Sequence, residues 1–296
     1  MPKHMLILNP WAGRGVGLRD KPRVEAAMAK YGLTYDLAMT AGPGDAIGLA
    51  CEAADKYDVV VAIGGDGTVQ EVVNGLMKAS GGGHPTTLGV IPIGSGDDFT
   101  YALGFTRLAI EEAVARLAGN KRRDVDVGRV NGRYFVNEVA VGFAAQAAIE
   151  AQRVKLAVRQ FVYLVGLASA MVTYPSPHIH MRWEGGEVSD RLLMASVANG
   201  RRTGGQFLIA PTSHIDDGVF DLVFAGALGR LHVVRLLPKV ARGTHLSDPS
   251  VMWKLTPWVT IDAPAGMPVH VDGEIFGTSV QRLEIEIVAG GVTVIV

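Results

Sequence analysis

Cysteine is almost absent from this sequence. Among 296 residues only Cys51 is a cysteine, and it lies inside a helical pattern. A disulfide framework and a cysteine zinc site both need several cysteines, so both are excluded. The lack of disulfides indicates a reducing compartment.

A large charge of either sign is also missing. The formal net charge is −1, and no run of basic residues is longer than the one at 121–123. This balance gives no indication of a nucleic-acid partner. The hydrophobic content of 48% and the charged content of 19% are typical of a globular protein. A chain of this length is expected to form one large domain or two moderate ones.

Long apolar runs are the third absence. The most apolar long window is 161–174, whose fourteen uncharged residues are fewer than the roughly 20 needed to span a bilayer. The chain enters a strand, MLILN, almost at once, so no signal peptide is expected. We therefore predict a cytoplasmic protein whose contact with a membrane, if any, is peripheral.

The most informative stretch that is present reads DVVVAIGGDGTVQEVVNGLM, residues 58–77. Its apolar residues Val59 to Ile63 predict a strand buried on both faces. Gly64 and Gly65 allow a sharp turn or a close approach to a ligand. Thr68 is a suitable N-cap, and the apolar face of the following helix comprises Val69, Val72, Val73, Leu76 and Met77. A strand, a glycine loop and a helix N-terminus together predict an anion site, usually for phosphate, although an ordinary turn is the alternative.

The pattern of the chain changes near residue 120. Strands and helices alternate up to Gly119, with strands over 4–9, 35–39 and 88–91 and helices over 22–31 and 46–56. From Asp124 the pattern is mostly β, interrupted by one helical passage over about 144–172. The stretches after it that read as strands are 177–183, 187–197, 219–224, 251–261, 267–271 and 283–288. We therefore predict one domain over 1–124 and a second over 125–296, whose last strands could return to the first.

Four motifs together resemble one family. They are NPWAGRGVG after the first strand, GGDGT followed by Glu71 and Asn74, PIGSGDDF after a buried strand, and VDGE near the C-terminus. The set resembles the catalytic domain of diacylglycerol and sphingosine kinases, especially the soluble bacterial lipid kinases. The resemblance implies an α/β N-terminal domain with an NAD kinase/phosphofructokinase-like parallel sheet and helices. It also implies a mostly-β, sandwich-like C-terminal domain, with the active site in the cleft between the two.

The resemblance further implies which residues contact the nucleotide. They are Asn9, Gly13, Arg14, Gly15, Thr40, Gly64, Gly65, Asp66, Gly67, Thr68, Val69, Gln70 and Ser95. Two positions of PIGSGDDF depart from the family pattern: Ser95 replaces threonine and Asp97 replaces asparagine. Serine keeps the hydroxyl, but the charge of Asp97 beside a phosphate is unfavourable unless a cation is close.

Carboxylates carry the rest of the implied chemistry. By the resemblance, Asp66, Asp98 and Asp126 form a carboxylate network, which would hold a divalent ion and its waters. A structural Mg²⁺ is implied at Asp217, with the main-chain carbonyls of His214 and Val219 as further ligands. The proposed general base is Asp272 or Glu274, and we favour Asp272. Without the resemblance, Asp217 and Asp272 both read as ordinary Asp-Gly turns.

The resulting hypothesis is an ATP- and Mg²⁺-dependent kinase that phosphorylates a lipid hydroxyl such as that of diacylglycerol, in contact with the inner membrane surface. A lipid groove could be lined by Phe143, Phe161, Tyr163, Leu164 and Met171, although apolar residues at helical spacing are more often core. The alternatives are an NAD kinase and a nucleotide- or lipid-binding protein with little catalysis. The assembly is left open between a monomer and a homodimer.

Overall fold

The computed structural model describes residues 2–81, 85–94, 96–105, 109–153, 166, 169–171 and 174–296. The helices in these residues are α1 (Ala12–Lys30), α2 (Asp45–Ala53), α3 (Asp66–Ser80), α4 (Asp98–Ala102), α5 (Ile110–Gly119), α6 (Phe143–Arg153) and α7 (Arg230–Ala241). The strands are β1 (His4–Leu8), β2 (Tyr35–Met39), β3 (Val59–Gly64), β4 (Thr87–Pro92), β5 (Arg122–Val130), β6 (Arg133–Phe135), β7 (Glu138–Gly142), β8 (His178–Trp183), β9 (Gly186–Ala198), β10 (Phe220–Gly226), β11 (Val251–Thr256), β12 (Trp258–Val271) and β13 (Glu274–Ile295).

The first four strands form a parallel sheet in the order β4-β3-β1-β2. β3 is apolar throughout because helices cover both of its faces. Val60 packs in a cluster with Ala46 of α2 and Val72 of α3, whereas Val61 packs in another with Val24 of α1. The strand's alternating side chains thus pack into two separate cores, which is the arrangement expected for a parallel sheet covered by helices on both faces.

The second part of the chain is mostly antiparallel. Its strands continue the same sheet in the order β11-β10-β9-β7-β12-β13, with β5, β6 and β8 paired off this path. The sequence predicted one strand over 251–261, but β11 ends at Thr256 and β12 begins at Trp258. Pro257 lies between them and has no N–H to donate to a ladder, which accounts for the break.

The helix α7 was not predicted from the sequence. Pro238 lies within it, and a proline weakens a helical pattern because it removes one N–H from the ladder. The packing of Val233 and Leu236, both almost fully buried, holds the helix against the sheet.

The long strand β13 joins the two parts of the molecule. It pairs antiparallel with β12 and β5, and near its end Val294 lies beside Leu88 of the parallel strand β4. Val292 and Val294 are fully buried in the same cluster as Leu88. The C-terminus therefore completes the core of the first part of the chain.

Candidate active site

The carboxyl ends of β1 and β3 meet the turn between β12 and β13 at a cleft of about 520 Å³. Residues from both parts of the chain line it: Asn9, Trp11, Ala12, Gly13, Thr40, Gly42, Pro43, Gly65, Asp66, Gly67, Thr68, Glu71, Gly94, Gly96, Asp98, Asn137, Thr203, Gly204, Asp272, Gly273 and Glu274. Ligands of open parallel sheets bind at this edge.

The loop between β3 and α3 is shaped by close contacts. A Cβ on Gly64 would lie 2.3 Å from Oγ1 of Thr68, so this position has no room for a side chain. Nδ2 of Asn9 donates to the same Oγ1 at 3.0 Å, which ties the end of β1 to the first turn of α3. Gly65 and Gly67 line the cleft where α3 begins, so the positive end of this helix points into it.

The loop after β1 takes a left-handed conformation. Gly13, Arg14 and Gly15 have φ of 59°, 63° and 90°, so α1 is kinked at these residues. Gly13 lines the cleft, whereas Arg14 and Gly15 are not among its described lining residues.

Three other predicted nucleotide contacts have distinct positions. Thr40 is buried and lines the cleft. The side chain of Val69 packs into the apolar core. Oε1 of the buried Gln70 accepts a hydrogen bond from Arg133 at 2.6 Å. Ser95 lies outside the described residues.

Asp66 and Asp98 converge beside Gly96. A Cβ on Gly96 would lie 2.7 Å from Oδ2 of Asp66 and 3.5 Å from Oδ2 of Asp98. Burial raises the pKa of Asp66, although the N–H of Phe99 donates to its Oδ1 at 3.1 Å. Burial and then the charge of Asp66 raise the pKa of Asp98 to about 7. Two close carboxylates repel each other, so the pair is suited to a cation.

Arg202 opposes that repulsion and was not predicted from the sequence. Its Nε donates to Oδ1 of Asp98 at 2.8 Å, and its Nη2 donates to the carbonyl of Gly96 at 2.7 Å. The guanidinium also lies 4.2 Å from the centroid of the Tyr101 ring. Its charge lowers the pKa of Asp97, which burial and the charge of Asp66 raise. Arg202 is thus a cation close to Asp97, although it donates to the main-chain carbonyl of Asp97 at 3.3 Å and not to its carboxylate.

Asp126 has a different environment from the Asp66–Asp98 pair. Its Oδ2 accepts from the N–H of Gly218 at 2.7 Å and its Oδ1 from the N–H of Gly290 at 2.8 Å. It is buried and is not among the described residues that line the cleft. The structure therefore does not bring Asp126 into contact with the pair; its carboxylate instead fixes the loop before β10 and a turn of β13.

Asp272 occupies the tight turn between β12 and β13. Asp272 and Gly273 have φ of 50° and 83°, as a two-residue Asp-Gly hairpin turn requires. Oδ1 of Asp272 accepts the N–H groups of Asn137 and Glu138, and Oδ2 accepts that of Val136, all at 2.9 Å. Burial raises the pKa of Asp272 to about 7, against the pull of these three N–H groups. The charge of Asp66 also raises this pKa.

Glu274 lies at the start of β13, close to the first turn of α3. Its Oε1 would be 3.1 Å from a Cβ on Gly67, and its Oε2 accepts from Arg133 at 2.7 Å. Arg133 also donates to Gln70, so it connects α3 to β13. The turn brings Asp272 and Glu274 to the same cleft.

A polar network lies behind Asp272. Glu138 is buried, accepts from Oγ of Ser196 at 2.7 Å and lies 3.8 Å from Nε2 of the buried His270. Nδ2 of Asn137 donates to the carbonyl of Arg202 at 2.7 Å. These contacts fix the main chain at 136–138, whose N–H groups bind Asp272, relative to the loop that contains Arg202.

The predicted structural metal site lies at the turn before β10. Asp217 is exposed, Gly218 has a φ of 76°, and the N–H of Val219 donates to Oδ1 of Asp217 at 3.3 Å. In the described part of the chain there is no cluster of three or more histidine, cysteine, aspartate or glutamate side chains that could hold a metal. The site at His214, Asp217 and Val219 depends on main-chain carbonyls instead and stays a prediction.

An apolar cavity of about 90 Å³ lies next to the cleft. Phe143 lines it, and Met171 packs in the same cluster as Phe143. The other predicted groove residues, Phe161, Tyr163 and Leu164, lie outside the described residues. Among the described helices none has both the length and the apolar character that crossing a bilayer requires.

Comparisons with known proteins match the chain along nearly its whole length. The diacylglycerol kinase catalytic domain matches residues 3–130, and the YegS C-terminal NAD kinase beta sandwich-like domain matches residues 137–296. A protein of Bacillus subtilis named diacylglycerol kinase is 29% identical over 279 residues, which are 94% of this chain and 91% of the relative. A protein of Shewanella frigidimarina named "Probable lipid kinase YegS-like" is 28% identical over 283 residues, 95% of this chain and 90% of the relative.

Solved structures show the same architecture. A crystal structure of "a putative diacylglycerol kinase" from Bacillus anthracis str. Sterne superposes with a TM-score of 0.82 at 25% sequence identity, over 99% of this chain and 94% of that one. Together with the domain matches, this confirms the family resemblance and the predicted fold class, an α/β part followed by a mostly-β, sandwich-like part.

Proposed function

We propose, because the chain belongs to the family that joins a diacylglycerol kinase catalytic domain to a YegS-type C-terminal domain, that it transfers the γ-phosphate of ATP to a lipid hydroxyl. The observation that supports this most is the composition of the cleft. Its lining offers glycine backbone and a helix N-terminus together with the carboxylates of Asp272 and Glu274. Phosphoryl transfer requires both: a site for phosphate charge and a group that positions and deprotonates the acceptor.

Mg²⁺ fits the Asp66–Asp98 pair. Two carboxylates converge on the position beside Gly96, and hard cations prefer carboxylate oxygens. Burial and then the charge of Asp66 raise the pKa of Asp98, and a cation would relieve the repulsion between the two carboxylates. When bound, Mg²⁺ would neutralise phosphate charge. Arg202 then keeps Asp98 oriented, and the N-terminus of α3 faces the phosphates.

The general base is Asp272 in this proposal. A base works best when its pKa is near the working pH, and that of Asp272 is about 7. Three N–H groups hold its carboxylate in one orientation, and an ionised carboxylate offers about four lone-pair sites, so one is left for a hydroxyl proton. Glu274, ion-paired to Arg133, would hold the phosphate-side wall in place.

The test is transfer of label from [γ-³²P]ATP, with Mg²⁺, into a mixed lipid extract and into purified diacylglycerol. Wild type is compared with the Asp66→Ala, Asp272→Asn and Glu274→Gln variants. We expect one labelled lipid, at least about 100-fold less of it with Asp272→Asn, and a smaller loss with Glu274→Gln. Asp262→Asn serves as the control, because Asp262 lies on β12 away from the cleft and pairs with Arg282.

The other outcomes separate the alternatives. Label in NAD and in no lipid would make the protein an NAD kinase. ATP binding by calorimetry without transfer to any acceptor would indicate a binding protein. A Glu274→Gln loss larger than that of Asp272→Asn, with both variants folded, would exchange the two roles.

A further inference from the structure

The outer side of α7 is a surface that the proposed kinase reaction does not use. Leu231, Val234, Arg235 and Pro238 recur at helical spacing on this side, and we call them the outer face of α7. All four are exposed, with 69% of Leu231 and 49% of Val234 accessible. The opposite side, which includes Val233 and Leu236, is buried against the sheet. The helix is therefore apolar on both sides, and only one side is covered.

The charge of α7 has one sign. Residues 230–242 read RLHVVRLLPKVAR and include neither aspartate nor glutamate, in a chain whose net charge is −1. Lys239 is paired with Asp248 at 2.7 Å. In the described part of the chain no carboxylate lies within ion-pair distance of Arg230, Arg235 or Arg242. An exposed apolar stripe with unpaired arginines on its rim complements an anionic lipid surface.

The edge strand β11 carries a second set of exposed apolar residues. Val251 of β11 lines the apolar cavity together with α7, and side chains alternate along a strand. Trp253 and Leu255 are therefore on the same face of β11 as Val251, and they are 40% and 50% exposed. Tryptophan is enriched at membrane interfaces because its ring is apolar and its N–H is polar. The Nε1 of Trp253 is already bonded to Asp221, which fixes the ring.

The apolar cavity lies directly beneath α7. Val233, Leu236, Leu237 and Val240 of this helix line it, and Thr203 lines both the cavity and the cleft. The outer face of α7 points away from this cavity, so the helix itself would lie between the cavity and a bilayer docked on that face.

We propose that the outer face of α7, with Trp253 and Leu255, docks this protein on an anionic lipid bilayer. The proposal rests on the proposed function in so far as a lipid kinase must reach a substrate in a membrane. The binding itself needs no ATP, no Mg²⁺ and no turnover.

The test is co-sedimentation with vesicles of phosphatidylcholine alone and of phosphatidylcholine with 30 mol%, about one third, of phosphatidylglycerol, without nucleotide. Wild type should bind the anionic vesicles and bind the neutral ones at least about tenfold more weakly. Arg235→Gln should weaken binding to anionic vesicles about fivefold, as expected for one basic residue. Leu231→Ser with Val234→Ser should weaken it about tenfold through lost apolar contact.

Matched controls come from another exposed helix. Leu18→Ser and Arg19→Gln change an exposed apolar and an exposed basic residue of α1 and should leave binding within about twofold of wild type. Circular dichroism checks that each variant is folded, and Arg235→Glu gives a second, stronger change at the same position.

Two results would overturn the proposal. One is vesicle binding that is unchanged in the α7 variants. The other is a change from dimer to monomer in light scattering for Leu231→Ser with Val234→Ser while vesicle binding stays intact, because the outer face would then bind a second copy. Vesicle binding through α7 without phosphorylation of any lipid would instead contradict only the proposed function.

Discussion

Arg202 is the residue on which the orientation of the carboxylate pair depends. It contacts Asp98 and two neighbouring main-chain carbonyls with one planar group and lies over the ring of Tyr101. Lysine has a point charge and cannot reproduce this fork. We therefore expect Arg202→Lys to lower kcat/KM for ATP about 30-fold, the equivalent of one charged hydrogen bond of about 2 kcal/mol.

Arg201 provides the control for that variant. It is the adjacent residue, and its Nε donates to the carbonyl of Ser213 instead of to the cleft. Steady-state kinetics of Arg201→Lys should stay within about threefold of wild type. An equal loss of kcat/KM in the two variants would mean that either arginine is needed only to fold the loop. Arg202 would then have no specific role in orienting Asp98.

The pKa of Asp272 predicts a pH dependence of the reaction. A general base must be ionised, and a carboxyl with a pKa of about 7 is ionised above that pH. The value of kcat/KM should therefore fall about tenfold for each pH unit below 7 and level off above it. Glu274→Gln should keep this profile, since Glu274 is not the base in the proposal.

The nucleotide also titrates near neutral pH, so the acidic limb of the profile, the fall of kcat/KM below pH 7, must be assigned either to the nucleotide or to the protein. A thiophosphate is more acidic than a phosphate, so replacing ATP by ATPγS moves a limb that belongs to the nucleotide. A limb that stays near pH 7 with both donors belongs to the protein. A limb that moves with the donor would remove the evidence for Asp272 as the titrating base.

The motif residues of the cleft could be predicted because each motif is contiguous. Gly64 to Thr68 and Asp272 to Glu274 carry turns whose geometry follows from their own residue types. Arg202 could not be predicted in the same way, because its partner Asp98 is 104 positions away and no local pattern marks it. Asp126 illustrates the same limit, because only the tertiary structure shows that its oxygens bind Gly218 and Gly290.

At the scale of elements, the junction between β3 and α3 makes a sharp prediction about two adjacent glycines. A Cβ on Gly64 would lie 2.3 Å from Oγ1 and 2.7 Å from Cβ of Thr68, and Thr68 is itself buried. A Cβ on Gly65 would meet only Cα of Gly94, at 3.4 Å. Gly64→Ala should lower the free energy of unfolding by about 2 kcal/mol or more, and Gly65→Ala by less than about 1 kcal/mol.

Urea denaturation of both variants checks this difference. Circular dichroism at 222 nm follows the helices, and the slope of the transition shows whether the folded states remain comparable. Equal destabilisation by the two alanines would mean that Thr68 moves aside and that the junction is not closely packed.

Elements with one clear periodicity were predictable, and elements with mixed signals were not. The strand β3 has a continuous apolar run, and the Asp272-Gly273 pair marks a hairpin turn. In contrast, β12 and β13 shift register several times between Asp262 and His270, which interrupts the alternation that identifies a strand. The helix α7 is short, contains Pro238 and has apolar residues on both sides, so its sequence has no simple amphipathic pattern.

At the scale of the whole molecule, β13 makes the two parts of the chain mutually dependent. The last residues of β13 fill the core of the parallel sheet, and the first residues of β13 pair with β12. The sequence showed the change of pattern near residue 120 and left open whether the last strands return to the first domain, because strand pairing over such a distance leaves no local signal. A single cooperative transition is therefore expected when the protein unfolds.

The distribution of spectroscopic probes allows this expectation to be measured. Trp183, Trp253 and Trp258 lie in the second part of the chain and Trp11 is exposed in the first, whereas α1 to α5 lie in the first part and α6 and α7 in the second. Val294→Ala removes buried apolar groups from the core of the first part and should cost about 2 kcal/mol. Because β13 belongs to both parts, the unfolding midpoints followed by tryptophan fluorescence and by circular dichroism at 222 nm should shift together to lower urea concentration.

Leu283→Ala in the second core should produce the same coincident shift of both midpoints. A lower midpoint by circular dichroism with an unchanged fluorescence midpoint in Val294→Ala would show that the two parts unfold independently, and that the return of β13 does not couple them.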